Sequence, residues 1–219
     1  MSFAKEAWVF VLPLAVAAIV LFWLDKNSLA VALFVISSIT LLFFRIPSRV
    51  PTASKTSVLA PANGKVTKVD VIEDPLIGAG KFHRIVTFLS VFDVHVQRSP
   101  TEGRVIRSSY AAGRKVAAFR EDAGELNEQI LTVLERDNGD VIGLRQIAGL
   151  VARRVVTYLD KGDRVERGQL FGLIKFSSRV DLFVPVLYHL EVEVGQRLRE
   201  GLTVVATDRR PTSAQPDET

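Results

Sequence analysis

The sequence contains no cysteine and only three histidines, His83, His95 and His189. The absence of cysteine excludes disulfide bonds, thiolate catalysis and cysteine-based metal sites. The three histidines are scattered along the chain, so they do not form the short-spaced pattern of a histidine-rich metal centre. We therefore predict no metal site.

The chain also has little excess of charge of either sign. Lysine and arginine total 28 and aspartate and glutamate total 24, which gives a net charge of +4. A mild basic bias suits either nucleic acid or an anionic membrane surface. Because the chain also contains two long apolar runs, we favour the membrane and predict no nucleic-acid partner.

The two apolar runs lie close to the N-terminus. Residues 7–24 are 18 consecutive positions without a charge, and residues 28–44 are a second run of 17. A membrane-spanning helix has about 17–25 such residues. A signal peptide is an alternative for the first run, but no small-residue cleavage site follows it. Buried core helices are disfavoured because neither run has a polar face. We therefore predict a membrane hairpin within residues 1–50.

The charges that flank the hairpin predict its orientation. Lys5 precedes the first run, and Arg45, Arg49 and Lys55 follow the second. Positive charge concentrates on the cytoplasmic side of membrane segments. We therefore expect the protein at the cell membrane, with its soluble domain on the cytoplasmic side. The sequence leaves open whether the hairpin spans the bilayer or only embeds in it.

The remainder of the chain has the pattern of β-strands. Short β-branched runs such as residues 65–72 and 84–89 are bounded by glycine, proline or aspartate. Runs of this kind at a spacing of roughly 8–12 residues predict a barrel or sandwich. We predict a mainly β soluble domain over residues 51–207. The polar, proline-containing end, residues 208–219, is predicted to be a disordered tail.

A weak internal repeat refines the predicted architecture. Residues 61–66 resemble residues 100–105, and residues 162–168 resemble residues 195–201. In each of these segments a turn glycine leads into an apolar residue, as is needed to enter a strand. Paired elements of this type are similar to the barrel-sandwich hybrid of lipoyl and biotinyl carriers.

Four segments carry a more specific pattern. They are Phe92–Pro100 (FDVHVQRSP), Leu126–Gln129 (LNEQ), Gln146–Val155 (QIAGLVARRV) and Arg167–Pro185 (RGQLFGLIKFSSRVDLFVP). In this order they resemble the short bacterial and archaeal type of phosphatidylserine decarboxylase. The resemblance extends from about Val58 to Ala206.

The resemblance implies a proenzyme that cuts its own chain. The matching bond joins Ser177 to Ser178, so the products would be a β chain of residues 1–177 and an α chain of residues 178–219. The side chain of Ser178 would attack the preceding carbonyl, and β-elimination of the resulting ester would leave a covalent pyruvoyl group at position 178. Its ketone would form a Schiff base with phosphatidylserine and accept the electrons released with carbon dioxide, yielding phosphatidylethanolamine.

The resemblance also suggests roles for other residues. His95 is a candidate acid/base, because histidine titrates near neutrality. Arg153, Arg154 and Arg179 are candidates to bind the lipid phosphate through bidentate contacts, and solvated strand-edge charges are the alternative for them. The implied partners are phosphatidylserine, the lipid bilayer, the two chains of one precursor and a possible second copy of the protein.

Three positions depart from the family pattern. Ser177 stands where the family has glycine before the cleaved bond, and Arg98 stands where longer members have a second histidine. Asn63 occupies the place of an aspartate in a proposed Asp/His/Ser relay. Asparagine can orient a histidine but cannot stabilise its charged form. The first and third departures leave two outcomes open, slow processing or a catalytically silent relative.

Two alternative functions remain open at this stage. One is an unprocessed homologue that binds lipid without cleaving itself. The other is a membrane-anchored adaptor or carrier of the barrel-sandwich type. A carrier should present its lysine at a hairpin tip in a Met-Lys-Met or Asp-Lys-Ala setting, and Lys161 lies in a turn without that context.

Overall fold

The two apolar runs form two antiparallel helices. The protein is described by a computed structural model, which covers residues 2–114, 116–118, 120, 122–149, 154–175 and 178–210. Helix α1 spans Trp8–Trp23 and helix α2 spans Asn27–Phe43. The short connection between them turns at Asp25, whose φ of 58° lies in the left-handed region. The predicted helical hairpin is confirmed.

Most of the hairpin projects away from the rest of the protein. Its large apolar side chains are exposed, up to 73% for Val9 and 81% for Trp23. Residues Lys5–Trp23 are long and apolar enough to cross a membrane, with a mean hydropathy of 2.1, and only 17% of that segment is buried. A helix at the core of a soluble domain would instead bury most of such a surface. The first helix of the hairpin therefore has the length and composition of a membrane span, and α2 is a shorter apolar helix.

The rest of the described chain is dominated by β-strands. A single short helix, α3 (Ala123–Leu126), interrupts the described strands. The strands are β1 Ser2–Phe3, β2 Arg45–Ile46, β3 Ser57–Leu59, β4 Gly64–Glu73, β5 Lys81–Leu89, β6 Val96–Arg98, β7 Gly103–Ala111, β8 Gln129–Glu135, β9 Val141–Ala148, β10 Val155–Thr157, β11 Arg164–Val165, β12 Leu170–Ile174, β13 Ser178–Pro185, β14 His189–Leu190, β15 Arg197–Leu198 and β16 Val204–Thr207. The prediction of a mainly β domain is confirmed.

The largest sheet has eight antiparallel strands. Their order is β11-β7-β8-β9-β13-β5-β4-β15. Two smaller sheets, β10-β12-β6 and β14-β16-β3, accompany it, and β1 pairs with β2 at the base of the hairpin. Strand β13 lies between β5 and β9 and is buried along its length up to Pro185. It is therefore the most enclosed strand of the large sheet.

The internal repeat detected in the sequence has a structural counterpart. The amide of Gly162 donates to the carbonyl of Val105, and the amide of Gly195 donates to Val66 in the same way, both at 2.8 Å. Short strand β11 pairs with the start of β7, and β15 pairs with the start of β4. The two ends of the large sheet are thus built alike, as the repeated turns predict.

The base of the hairpin packs against the three-stranded sheet β10-β12-β6. An apolar cluster joins side chains from both parts: Ala4, Ala7, Val11, Phe43, Phe44, Val94, Val96 and Leu173. Burial of this surface stabilises the contact by roughly 25 cal/mol per Å². The hairpin is therefore fixed to the sheet that contains β6, which directly follows His95.

Candidate active site

Ser178 is the first residue of the enclosed strand β13. It lies opposite Leu89 on β5 and Ala148 on β9, and it is fully buried. Its hydroxyl has no hydrogen-bond partner among the described residues. An unpartnered polar atom in a protein interior costs free energy and calls for an explanation. A buried hydroxyl that no described group binds is available to act as a nucleophile.

His95 lies immediately before β6 and is 2% exposed. Its Nδ1 is 2.9 Å from the backbone oxygen of Asp93. Because a carbonyl oxygen can only accept, the hydrogen bond assigns the proton to Nδ1 and leaves the lone pair on Nε2. Nε2 is buried and has no partner among the described residues. The imidazole therefore holds an available basic nitrogen in the interior.

Burial keeps this imidazole neutral. Loss of solvation lowers the pKa of His95 to about 4, and nearby Arg45 adds to the effect. The hydrogen bond to the backbone of Asp93 and the charge of its carboxylate act in the opposite direction but do not outweigh burial. At neutral pH the side chain is thus uncharged and can accept a proton at Nε2, as a weaker base than an imidazole in water.

The hairpin covers His95 directly. The ring of Phe43, the last residue of α2, lies 4.0 Å from the imidazole between centroids. The carbonyl oxygen of His95 accepts a hydrogen bond of 3.2 Å from the amide of Ile174, four positions before Ser178. The backbone at His95 is therefore bonded to the end of β12, the strand that leads to Ser178.

A pair of glutamines fixes the backbone of His95, and the sequence analysis did not identify it. Gln97 donates to the carbonyl oxygen of His95 at 2.8 Å, and Gln146 donates to the side-chain oxygen of Gln97 at 2.8 Å. Both glutamines are fully buried. They lie in two of the segments that carry the family resemblance, which was the available signal.

Arg179 follows Ser178 but is committed to a buried ion pair. Its guanidinium binds both carboxylate oxygens of Asp181, at 2.6 and 2.7 Å, and it is 5% exposed. A lipid phosphate at Arg179 would have to compete with Asp181. Arg154 is exposed, whereas Arg153 and Ser177 lie outside the described residues. The phosphate-binding roles remain predictions.

The Arg179–Asp181 pair predicts a large loss of stability when it is broken. Asp181→Ala leaves a buried, unpaired guanidinium, and we expect the free energy of unfolding to fall by about 3–5 kcal/mol. Urea unfolding of the purified protein measures this. Asp137→Ala is the matched control, because Asp137 pairs with Arg164 on the surface, where the side chains are 67% and 69% exposed. Equal stability of both variants and the parent would contradict the prediction.

Asn63 precedes β4 and makes a contact other than the predicted one. Its side-chain oxygen accepts a 2.8 Å hydrogen bond from the amide of Glu200, whereas the described hydrogen bonds of His95 go to Asp93, Gln97 and Ile174. The relay position therefore anchors the turn that carries Glu200. Its part in self-cleavage remains a prediction.

Asn63→Asp tests that relay. An aspartate retains an acceptor for the amide of Glu200 and adds a charge able to stabilise imidazolium, so we expect faster processing. A tenfold gain corresponds to about 1.4 kcal/mol in the barrier. Cell-free synthesis followed by gel analysis measures conversion of the precursor into two chains. Asn138→Asp, in an exposed turn, is the control. An unchanged or slower rate would mean that position 63 takes no part.

Comparison with known proteins places the chain among decarboxylases. The family model described as phosphatidylserine decarboxylase matches residues 36–206. A phosphatidylserine decarboxylase proenzyme of Symbiobacterium thermophilum is 40% identical over 206 residues, 92% of this chain and 94% of the relative. The proenzyme of Trichlorobacter lovleyi is 43% identical over 178 residues, 81% and 78% of the two chains. That of Cupriavidus pinatubonensis is 36% identical over 209 residues, 93% and 94%.

The match includes Asn63, His95 and Ser178 within its bounds. It also includes the segment from residue 36 to residue 46, through which α2 connects to the β domain. A match of this extent goes well beyond a shared architecture. The chain belongs to the phosphatidylserine decarboxylase family.

Proposed function

We propose that this protein converts phosphatidylserine to phosphatidylethanolamine and carbon dioxide, with a pyruvoyl group that it makes from Ser178. The observation that carries the proposal is the hydroxyl of Ser178 at the start of the enclosed strand β13, which is fully buried and has no partner among the described residues. The names of the relatives, all proenzymes, support both the reaction and a processing step.

The proposed processing step begins with attack of Ser178 Oγ on the carbonyl carbon of residue 177. The peptide C–N bond breaks, an ester forms, and the freed amine takes up the proton that leaves the hydroxyl. Loss of the Cα proton then breaks the Cβ–O bond and releases residue 177 as a carboxylate. Protonation at Cβ converts the resulting enamine of residue 178 into an imine, and hydrolysis of this imine releases ammonia and leaves a ketone at position 178. Apolar strands beside Ser178 would protect the ester from hydrolysis before the elimination.

The surroundings of Ser178 fit the small group that this chemistry would leave. Its neighbours across the sheet, Leu89 and Ala148, are apolar and buried. The pyruvoyl group supplies an electrophilic carbonyl that withdraws the electron pair released as carbon dioxide departs. We assign to His95 the task of holding and moving a proton at Nε2, since this nitrogen is neutral, buried and without a described partner.

The same proposal gives the hairpin a role in substrate access. We infer that α1 and α2 lie in the cell membrane and that the β domain lies on its cytoplasmic side. Phe43 at the base of the hairpin contacts His95, so the place where a lipid would leave the bilayer adjoins the candidate base. The headgroup would then have only a short distance to travel.

The decisive assay presents phosphatidylserine in vesicles to the purified protein. Mass spectrometry of the lipids should show loss of phosphatidylserine and stoichiometric gain of phosphatidylethanolamine. Vesicles of phosphatidylglycerol serve as the control for substrate identity. Binding to phosphatidylserine vesicles with no turnover would favour the unprocessed lipid-binding homologue and contradict the proposal.

A further inference from the structure

A turn between β5 and β6 exposes two adjacent apolar side chains. This turn, residues 90–93, is called the Phe92 turn below. Phe92 is 85% exposed and Val91 is 50% exposed. Single exposed apolar residues are common on protein surfaces and need no explanation. The contacts around this pair are what give it significance.

The Phe92 turn is held rigid by its own polar groups. The carboxylate of Asp93 accepts hydrogen bonds from the amide and the hydroxyl of Ser90, at 2.8 and 2.7 Å. Its second oxygen pairs with Arg197 at 3.2 Å. A turn that is already ordered loses little conformational entropy when it binds a surface. The exposed Phe92 is thus presented in one position before any partner arrives.

The same turn is bonded to the base of the hairpin. Arg45 lies two residues after the end of α2 and donates to the backbone oxygen of Phe92 at 3.1 Å and to that of Leu42 at 2.8 Å. If the hairpin lies in a bilayer, this contact places Phe92 at the level of the lipid headgroups. Arg197 is 72% exposed and Lys65 opposite it is also exposed. These cations complement an anionic lipid surface.

The inner side of the Phe92 turn is hydrogen-bonded to His95 of the candidate active site. The backbone oxygen of Asp93 is the acceptor that fixes the tautomer of His95. The turn therefore has an apolar outer face and an inner face bonded to the proposed base. A contact between this turn and the bilayer would keep His95 close to the bilayer surface, from which the lipid headgroup would enter the site.

We propose that the Phe92 turn is a second membrane contact, which inserts Phe92 and Val91 into the interfacial layer of an anionic bilayer. Aromatic side chains favour this layer, where an apolar ring lies beside polar headgroups. The part of the proposal that concerns substrate entry rests on the decarboxylase function proposed above. The insertion itself does not, and it is tested separately.

The first experiment measures depth in the bilayer by fluorescence. Tryptophan is placed at position 92 in a protein whose two native tryptophans are replaced, that is Trp8→Phe, Trp23→Phe and Phe92→Trp. Leu187→Trp in the same background is the control, since Leu187 is 50% exposed. It lies beyond Pro185, which is itself roughly 23 Å along β13 from Ser178. Vesicles contain phosphatidylglycerol and phosphatidylcholine brominated on the acyl chain.

Insertion predicts a blue shift and strong quenching at position 92 and neither at position 187. Equal quenching at the two positions would overturn the proposal. Replacement of the phosphatidylglycerol by phosphatidylcholine should weaken quenching at position 92, because the cations around the turn then have no anionic headgroups to bind.

The second experiment measures turnover with Phe92→Ala and, as control, Leu187→Ala. On phosphatidylserine in vesicles we expect Phe92→Ala to be about tenfold slower, because the variant loses one large apolar side chain from its contact with the bilayer. On short-chain phosphatidylserine dissolved as monomers it should match the parent. Equal loss on both substrates would mean that Phe92 supports the site internally and would overturn the proposal. An inactive parent protein would refute the decarboxylase function, while the quenching experiment would still test insertion.

Discussion

Ser178→Ala is expected to leave a single unprocessed chain of 219 residues with no measurable decarboxylase activity. The change removes only the hydroxyl oxygen that attacks the preceding carbonyl and from which the pyruvoyl group derives. Because that oxygen has no described hydrogen-bond partner, its removal leaves no described group unsatisfied and should not destabilise the fold. Denaturing gels, a vesicle assay and urea unfolding measure the three effects.

Thr132→Val provides a matched control for that variant. Thr132 is also fully buried, and its hydroxyl also lacks a described partner, but it lies within β8. We expect Thr132→Val to process and to turn over like the parent. Decarboxylation by Ser178→Ala at any substantial rate would remove the proposed mechanism.

His95→Gln is expected to lower the rate of decarboxylation by about 10²–10⁴-fold, the usual contribution of a positioned acid/base. Glutamine is close in size and neutral, but its amide cannot exchange a proton near neutral pH. His189→Gln is the control, since His189 is exposed on β14. A variant at position 95 with more than about a tenth of the parental rate would contradict the assignment.

The pH dependence of stability gives an independent test of the same histidine. In the folded protein the pKa of His95 is lowered to about 4 by burial, whereas in the unfolded chain it returns to about 6.5. The unfolded chain therefore binds the proton first, and the contribution of His95 to stability is lost as pH falls from about 6.5 towards 4. His95→Gln should reduce this slope in urea unfolding. An unchanged slope would mean that burial does not control the titration.

The features that the sequence predicts well are those encoded locally. The uncharged runs predict α1 and α2 because a helix with no polar face needs an apolar environment. The repeated turn glycines predict the paired ends of the large sheet, and Gly162 and Gly195 adopt φ values of 103° and 98°. Glycine reaches such angles at no steric cost. Each of these signals lies within one short segment.

The features that escaped prediction depend on which distant segments meet. The contact of Phe43 with His95, 4.0 Å between ring centroids, joins the hairpin to the β domain across 52 positions of sequence. Asn63 finds its partner at Glu200, 137 positions along the chain. Partners of this kind follow from strand order and register, which short patterns do not specify.

The mass of the denatured protein, before and after borohydride reduction, tests the central claim most directly. We expect two chains divided between Ser177 and Ser178, with a carbonyl on the smaller chain that borohydride reduces. A single unmodified chain of 219 residues that nevertheless decarboxylates phosphatidylserine would contradict the pyruvoyl mechanism.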